Sequence, residues 1–91
     1  MARILITAQV EDATEWEKGF RTHGGLFKDQ SVTTIDFTAT EDNEVGILFE
    51  ADNLDTYMGL LESPATEEAM KNDGVKRDTV KIFVLDKTFN P

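Results

Sequence analysis

Three residues of this chain occur once each and carry useful chemistry: His23, Tyr57 and Trp16. An imidazole titrates near neutral pH, so His23 suits a general base held beside a bound phenol. His23 also stands just before Gly24-Gly25, where a cationic ring would cap a helix C-terminus and interact with its dipole. The Tyr57 hydroxyl needs a polar partner or water if it is buried. Trp16 and Phe20 share a stripe with Ala13 and Phe27, a pattern that fits plain core as well as a ligand wall. Cysteine is absent, which excludes disulfides, thiolate metal ligation and a cysteine nucleophile. With a single histidine and no cysteine, neither a transition-metal site nor another cofactor is expected. The chain has no glycine-rich phosphate loop, no nucleophile elbow and no His-Glu-x-x-His, the motifs that would announce nucleotide, acyl-transfer or zinc chemistry.

The elements that must position these residues follow from periodicity. Residues 2–10 alternate, with Ile4, Ile6, Ala8 and Val10 on one face and Arg3, Leu5, Thr7 and Gln9 on the other, which predicts a half-buried strand. Asp12 is placed to cap a helix, with Glu15 three residues on to close a capping box. Gly24-Gly25 is expected to end that helix. Residues 31–40 are rich in β-branched types, with Ile35, Phe37 and Ala39 on one face. A loop at Asp42-Asn43-Glu44 leads to a return strand, Val45 to Ala51, with Val45, Ile47 and Phe49 as its apolar face. That register sets Phe37 opposite Phe49 and Asp36 opposite Glu50. Asp52 is expected to cap the next helix, whose stripe is Leu54, Tyr57, Met58 and Leu61. Ser63-Pro64 starts another helical piece with Ala65, Ala69 and Met70 inward, and Gly74 ends it. Thr79 to Lys87 is the last strand, with Val80, Ile82 and Val84 alternating with Lys81, Phe83 and Leu85.

The order βαββαβ predicts an α+β, ferredoxin-like domain spanning residues 1–91, a four-stranded antiparallel sheet with the helices on one face and strand order 4-1-3-2. The second face is not polar, since it carries Leu5, Leu48, Phe83 and Leu85 beside Asp36 and Glu50. Apolar patches of several hundred square ångströms usually mark an interface. These six residues are therefore the expected contact between two copies of the chain packed sheet to sheet. Asp36 and Glu50, set opposite one another, would share a proton, bind a cation, or sit hydrated and paired with Arg3 or Lys81. Glu41, Asp42 and Glu44 at the hairpin tip lack the spacing of a calcium loop.

Eighteen acidic against 9 basic residues give a net charge of −9. A field of that sign repels phosphate and argues against nucleic acid and anionic membranes as partners. Arg3 and the few residues before Glu11 leave no room for a signal-peptide core, and no apolar run reaches the ~20 residues of a membrane helix. A cytoplasmic protein is expected.

The topology, the length and the phrase FEADNLDTYMGLLESPATEEAM, residues 49–70, resemble the dimeric α+β barrel superfamily, in particular its antibiotic biosynthesis monooxygenase-like branch. In that branch a strand ends in an acidic residue, a helix follows with an aromatic or histidine, and a Ser-Pro step opens a short helix. Phe49-Glu50, Tyr57 and Ser63-Pro64 match that phrase. The resemblance implies a homodimeric α/β barrel whose protomers hold a planar or polycyclic molecule between sheet and helices. The residues that would line the cavity are Trp16, Phe20, His23, Phe37, Phe49 and Tyr57. The first strand carries Thr7 and Gln9 where relatives of this kind commonly use an asparagine. Two functions are therefore expected: binding or oxidation of a small aromatic molecule, or a non-catalytic binding or regulatory homodimer with a filled core.

Overall fold

The computed structural model describes residues 1–91. Its order is β1 (Ala2–Gln9), α1 (Ala13–Phe20), α2 (Gly24–Asp29), β2 (Val32–Ala39), β3 (Glu44–Ala51), α3 (Leu54–Leu61), α4 (Pro64–Asn72), a short 3-10 turn (Arg77–Thr79) and β4 (Lys81–Val84). The four strands form one sheet in the order β2-β3-β1-β4, and every pairing is antiparallel. This is the expected α+β, ferredoxin-like architecture, with the two helices expected between β3 and β4 and two, where one was expected, between β1 and β2.

The helix starts are set by side-chain caps. Asp12 accepts from the backbone N–H groups of Thr14 and Glu15, Asn53 from Thr56, and Ser63 from Thr66, with Pro64 at the first turn of α4. Asn53, not Asp52, therefore caps α3. Glu15 does not close a capping box, because its carboxylate pairs with Lys18 at 3.1 Å. Gly24-Gly25 opens α2 instead of merely ending α1: the chain turns at Arg21-Thr22 and restarts after His23. Two glycines do not forbid a helical turn when tertiary packing of Phe27 holds it.

The core sits over the two central strands. Ile4, Ile6 and Ala8 of β1 and Val45, Ile47, Phe49 and Ala51 of β3 are buried against Trp16, Phe20, Tyr57 and Leu61. Coverage stops there. Ile82 and Val84 lie in register with Ile6 and Ile4, on the helix side, yet are 41% and 43% exposed. β4 is an edge strand beyond the helical layer, so alternation alone overstated its burial. In α4 the buried residue is Thr66, while Ala65 is exposed.

The hairpin register differs from expectation. Asn43 adopts the left-handed φ of 61°, and Thr40 N–H bonds to Glu44 O at 2.8 Å, so the loop is Glu41-Asp42-Asn43. Ile35 consequently faces Phe49, Phe37 faces Ile47, and Asp36 faces Leu48. Because the pairing moves by two residues, every side chain keeps its face. Asp36 and Glu50 are nonetheless not opposite each other: Glu50 stands between Thr34 and Arg3, and Arg3 Nε lies 3.8 Å from its carboxylate. No shared-proton or cation site results, and an exposed pair of this length adds little stability.

Candidate functional site: an aromatic wall with a His–Asp pair

An unbroken run of rings crosses the space between helices and sheet. Phe37 on β2 lies 5.1 Å from Phe20, Phe20 lies 5.0 Å from Phe27, Phe27 lies 5.6 Å from Phe49, and Phe49 lies 5.6 Å from Tyr57, ring centre to ring centre. Trp16 stacks on Phe20 at 4.7 Å. Such contacts between offset or tilted rings add to simple area burial.

This wall divides the expected cavity in two. The inner space, about 60 Å³, is bounded by Ile6, Trp16, Phe20, His23, Phe49 and Tyr57, among others. The outer space is a pair of open grooves, about 220 Å³ and 480 Å³, which share Arg21, Ile35 and Phe37. The smaller groove shares Phe20 and Phe27 with the inner space. Of the six residues expected to line one cavity, five meet at the inner space and Phe37 lies outside it. Sites for drug-sized ligands occupy ~300–1,000 Å³, so the inner space does not hold a polycyclic molecule. The interior is closed by the very aromatic side chains that would have lined a larger pocket.

His23 does not cap α1. It occupies the position before α2 and makes no capping bond through its side chain. Instead its Nε2 lies 3.0 Å from Asp73 Oδ2, and the two side chains are only 24% and 9% exposed. Both residues border the inner space. Asp73 comes from the C-terminus of α4 and reaches across to α1, where Gly19 has no side chain to obstruct its carboxylate. Nothing local in the sequence announces this partner, which lies 50 residues away.

Two further polar residues were not foreseen. Gln30, 1% exposed, donates from Nε2 to Thr66 Oγ1 at 2.9 Å. Thr66 Oγ1 donates to Leu60 O at 2.7 Å. Both residues line the inner space, where the Gln30 Nε2 and Thr66 Oγ1 groups are bonded to each other and to Leu60 O. Tyr57 is sealed from solvent, and burial pushes its phenol well above the usual tyrosine range. Its hydroxyl makes no hydrogen bond within the chain, and Tyr57 lines the inner space.

Arg21 guards the outer grooves. Its guanidinium carbon lies 5.2 Å from the centre of the Phe37 ring, and Nε donates to Glu17 at 2.9 Å. On the opposite face of the sheet, Leu5, Leu48 and Phe83 stand side by side across three strands. Leu85 N–H bonds to Arg3 O, which places Leu85 in the next row beside the Arg3–Glu50 pair. Phe83 and Leu85 are 47% and 41% exposed. No group of three or more histidine, cysteine, aspartate or glutamate side chains is arranged to hold a metal ion. No helix is long and apolar enough to cross a membrane.

No protein-family model matches the chain, and no curated protein matches it in sequence. Solved structures do match its fold over nearly the whole length. An antibiotic biosynthesis monooxygenase-like protein from Bordetella bronchiseptica superposes with a TM-score of 0.74 at 12% identity, covering 97% of each chain. SnoaB, a cofactor-independent oxygenase from Streptomyces nogalater, superposes with a TM-score of 0.70 at 14% identity, covering 98% of this chain and 94% of its own. A monooxygenase-like protein from Caulobacter crescentus gives 0.70 at 16% identity, covering 97% of this chain and 90% of its own.

Proposed function

The chain has the fold of the antibiotic biosynthesis monooxygenases, and we propose that residues 1–91 act as one domain that binds a small aromatic molecule. The ring enters the groove bounded by Phe20, Phe27 and Phe37. Its hydroxyl reaches past Phe27 to His23, which serves as general base; the His23 ring centre lies 6.5 Å from that of Phe27, on the inner side of the wall. The observation that carries this reading is the His23–Asp73 contact of 3.0 Å at the edge of an aromatic wall. A carboxylate that accepts from one imidazole nitrogen fixes the tautomer and stabilises the imidazolium that forms on proton uptake. With Nε2–H donating to Asp73, Nδ1 is the basic nitrogen. A phenol O–H bond breaks, an Nδ1–H bond forms, and the products are a phenolate and an imidazolium paired with Asp73. The groove of about 220 Å³ exceeds the ~150 Å³ that accommodates benzene in an engineered cavity.

The protomer in this reading functions as a homodimer, with Leu5, Leu48, Phe83 and Leu85 as its apolar contact and Asp36 and Glu50 at the margin. An acidic, cysteine-free chain of this kind suits the cytoplasm. Isothermal titration with single-ring and bicyclic phenols tests the ligand: saturable binding weakened about tenfold or more by His23→Gln supports the reading, and no binding by either protein overturns it.

One observation favours the second reading, a non-catalytic homodimer. The inner space is only about 60 Å³, as expected of a core that its own side chains fill. In that case the dimer forms normally and no phenol binds.

A further inference from the structure

Helix α2 is fixed at one end and free to turn at the other. At its C-terminal end Gln30 is buried and bonded to Thr66. Ser31 next to it exchanges two bonds with the Asn53 backbone: Oγ donates to Asn53 O at 3.0 Å and accepts from Asn53 N–H at 3.2 Å. At the other end His23 is tied to Asp73, but the exposed pair Gly24-Gly25 follows at once. Neither glycine has a positive φ, and a Cβ at either would meet nothing within 4 Å. The observed conformation therefore has no need of glycine at 24 or 25, although glycine weakens a helix. What the pair supplies is backbone freedom. No residue of α2 is buried, and its aromatic side chain, Phe27, meets the wall through the Phe20 and Phe49 rings. We propose that α2 is a hinged strap. It turns at Gly24-Gly25 about its fixed Gln30–Ser31 end, swings Phe27 out of the ring wall, and joins the outer groove to the inner space.

The hinge follows His23, so the imidazole stays on Asp73 while the partition moves. The strap rests on the proposed function only for its ligand: a hydroxyl that must reach past Phe27 gains its path when α2 opens. The motion itself is tested in the ligand-free protein by amide hydrogen exchange. The bond from Phe27 N–H to His23 O spans the hinge and breaks on opening, whereas the bond from Gln30 N–H to Leu26 O lies within α2 and survives. Phe27 should therefore be less protected than Gln30. Gly24→Ala and Gly25→Ala fit the closed strap and should each raise protection at Phe27 about two- to fivefold, with a smaller effect at Gln30. Stopped-flow mixing with 4-nitrophenol should show association slowed several-fold when both glycines are replaced. Equal protection at Phe27 and Gln30 would mean that α2 unfolds or stays shut, and would overturn the inference. Protection at Phe27 untouched by both substitutions, or an unchanged association rate, would overturn it too. Failure of 4-nitrophenol to bind the parent protein would count against the proposed function, and hydrogen exchange alone would then decide the strap.

Discussion

Gly19 lies directly beneath the Asp73 carboxylate: a Cβ at position 19 would overlap Oδ1 and stand 2.8 Å from Cγ. A glycine inside a helix costs roughly 0.5–1 kcal/mol relative to alanine. At this position that cost accompanies the approach of Asp73 to His23. Gly19→Ala should therefore leave overall stability within about 1 kcal/mol of the parent, since the gain in helix propensity offsets the displaced carboxylate. It should also uncouple the imidazole. Nitrogen NMR of the single histidine should show the Nε2–H tautomer in the parent and a mixture of tautomers in Gly19→Ala and Asp73→Asn. An unchanged tautomer in both variants would mean that Asp73 does not orient His23.

Tyr57 provides a pH test. Its phenol is held above the ordinary value of 10.0 by burial, so the folded state favours the neutral form. The unfolded chain ionises first, binding fewer protons than the native state above about pH 10, and stability falls as pH rises through that range. Below it, Tyr57 contributes no pH dependence. Tyrosinate absorbance should appear near the ordinary value in denaturant and be absent there in the folded protein. Because the chain has one tyrosine, the signal is unambiguous, and a native titration at the ordinary value would show Tyr57 to be solvated.

The buried Gln30–Thr66 pair should matter to stability more than its hydrophilic residue types suggest. Thr66→Val deletes an acceptor for Gln30 and leaves a buried amide without a partner, a loss of about 1–3 kcal/mol. Gln30→Leu with Thr66→Val should recover part of that loss. Urea unfolding of the two single variants and the double variant measures the coupling; additive effects would mean that the hydrogen bond contributes nothing of its own.

Much of this architecture is legible in the sequence, and the reason is local. β1 and β3 alternate cleanly because one face packs on helices, and Asp12 and Ser63 cap helices through bonds that reach only two or three residues. What the sequence does not reveal depends on distance. The contact between His23 and Asp73 needs the chain to bring α4 back to the end of α1. Gln30 reads as surface because glutamine usually is, and only its bond to Thr66 makes burial tolerable. The hairpin register turned on a single loop residue, Asn43, whose left-handed backbone closes the loop at Glu44. The aromatic residues were all visible, but not whether they enclose a pocket or fill it, because that depends on ring orientations.

The open face of the sheet makes its own prediction. Leu48 sits between Leu5 and Asp36, in the middle of the proposed contact. Leu48→Lys would bury an unpaired charge in a dimer but only add a solvated one to a monomer. Light scattering at micromolar concentration should show a dimer for the parent and a monomer for the variant, with circular dichroism unchanged. A monomeric parent would remove the interface from the account.

The central claim is that His23, held by Asp73, takes a proton from an aromatic hydroxyl beside the ring wall. A chromogenic phenol reports this directly, because phenol and phenolate absorb at different wavelengths. Bound to the parent protein at a pH where the free compound is mostly protonated, it should show the phenolate spectrum. Bound to His23→Gln it should keep the phenol spectrum, and Asp73→Asn should shift the balance towards phenol. A phenol that binds yet remains protonated on the parent protein, or becomes phenolate equally well without His23, would contradict the claim.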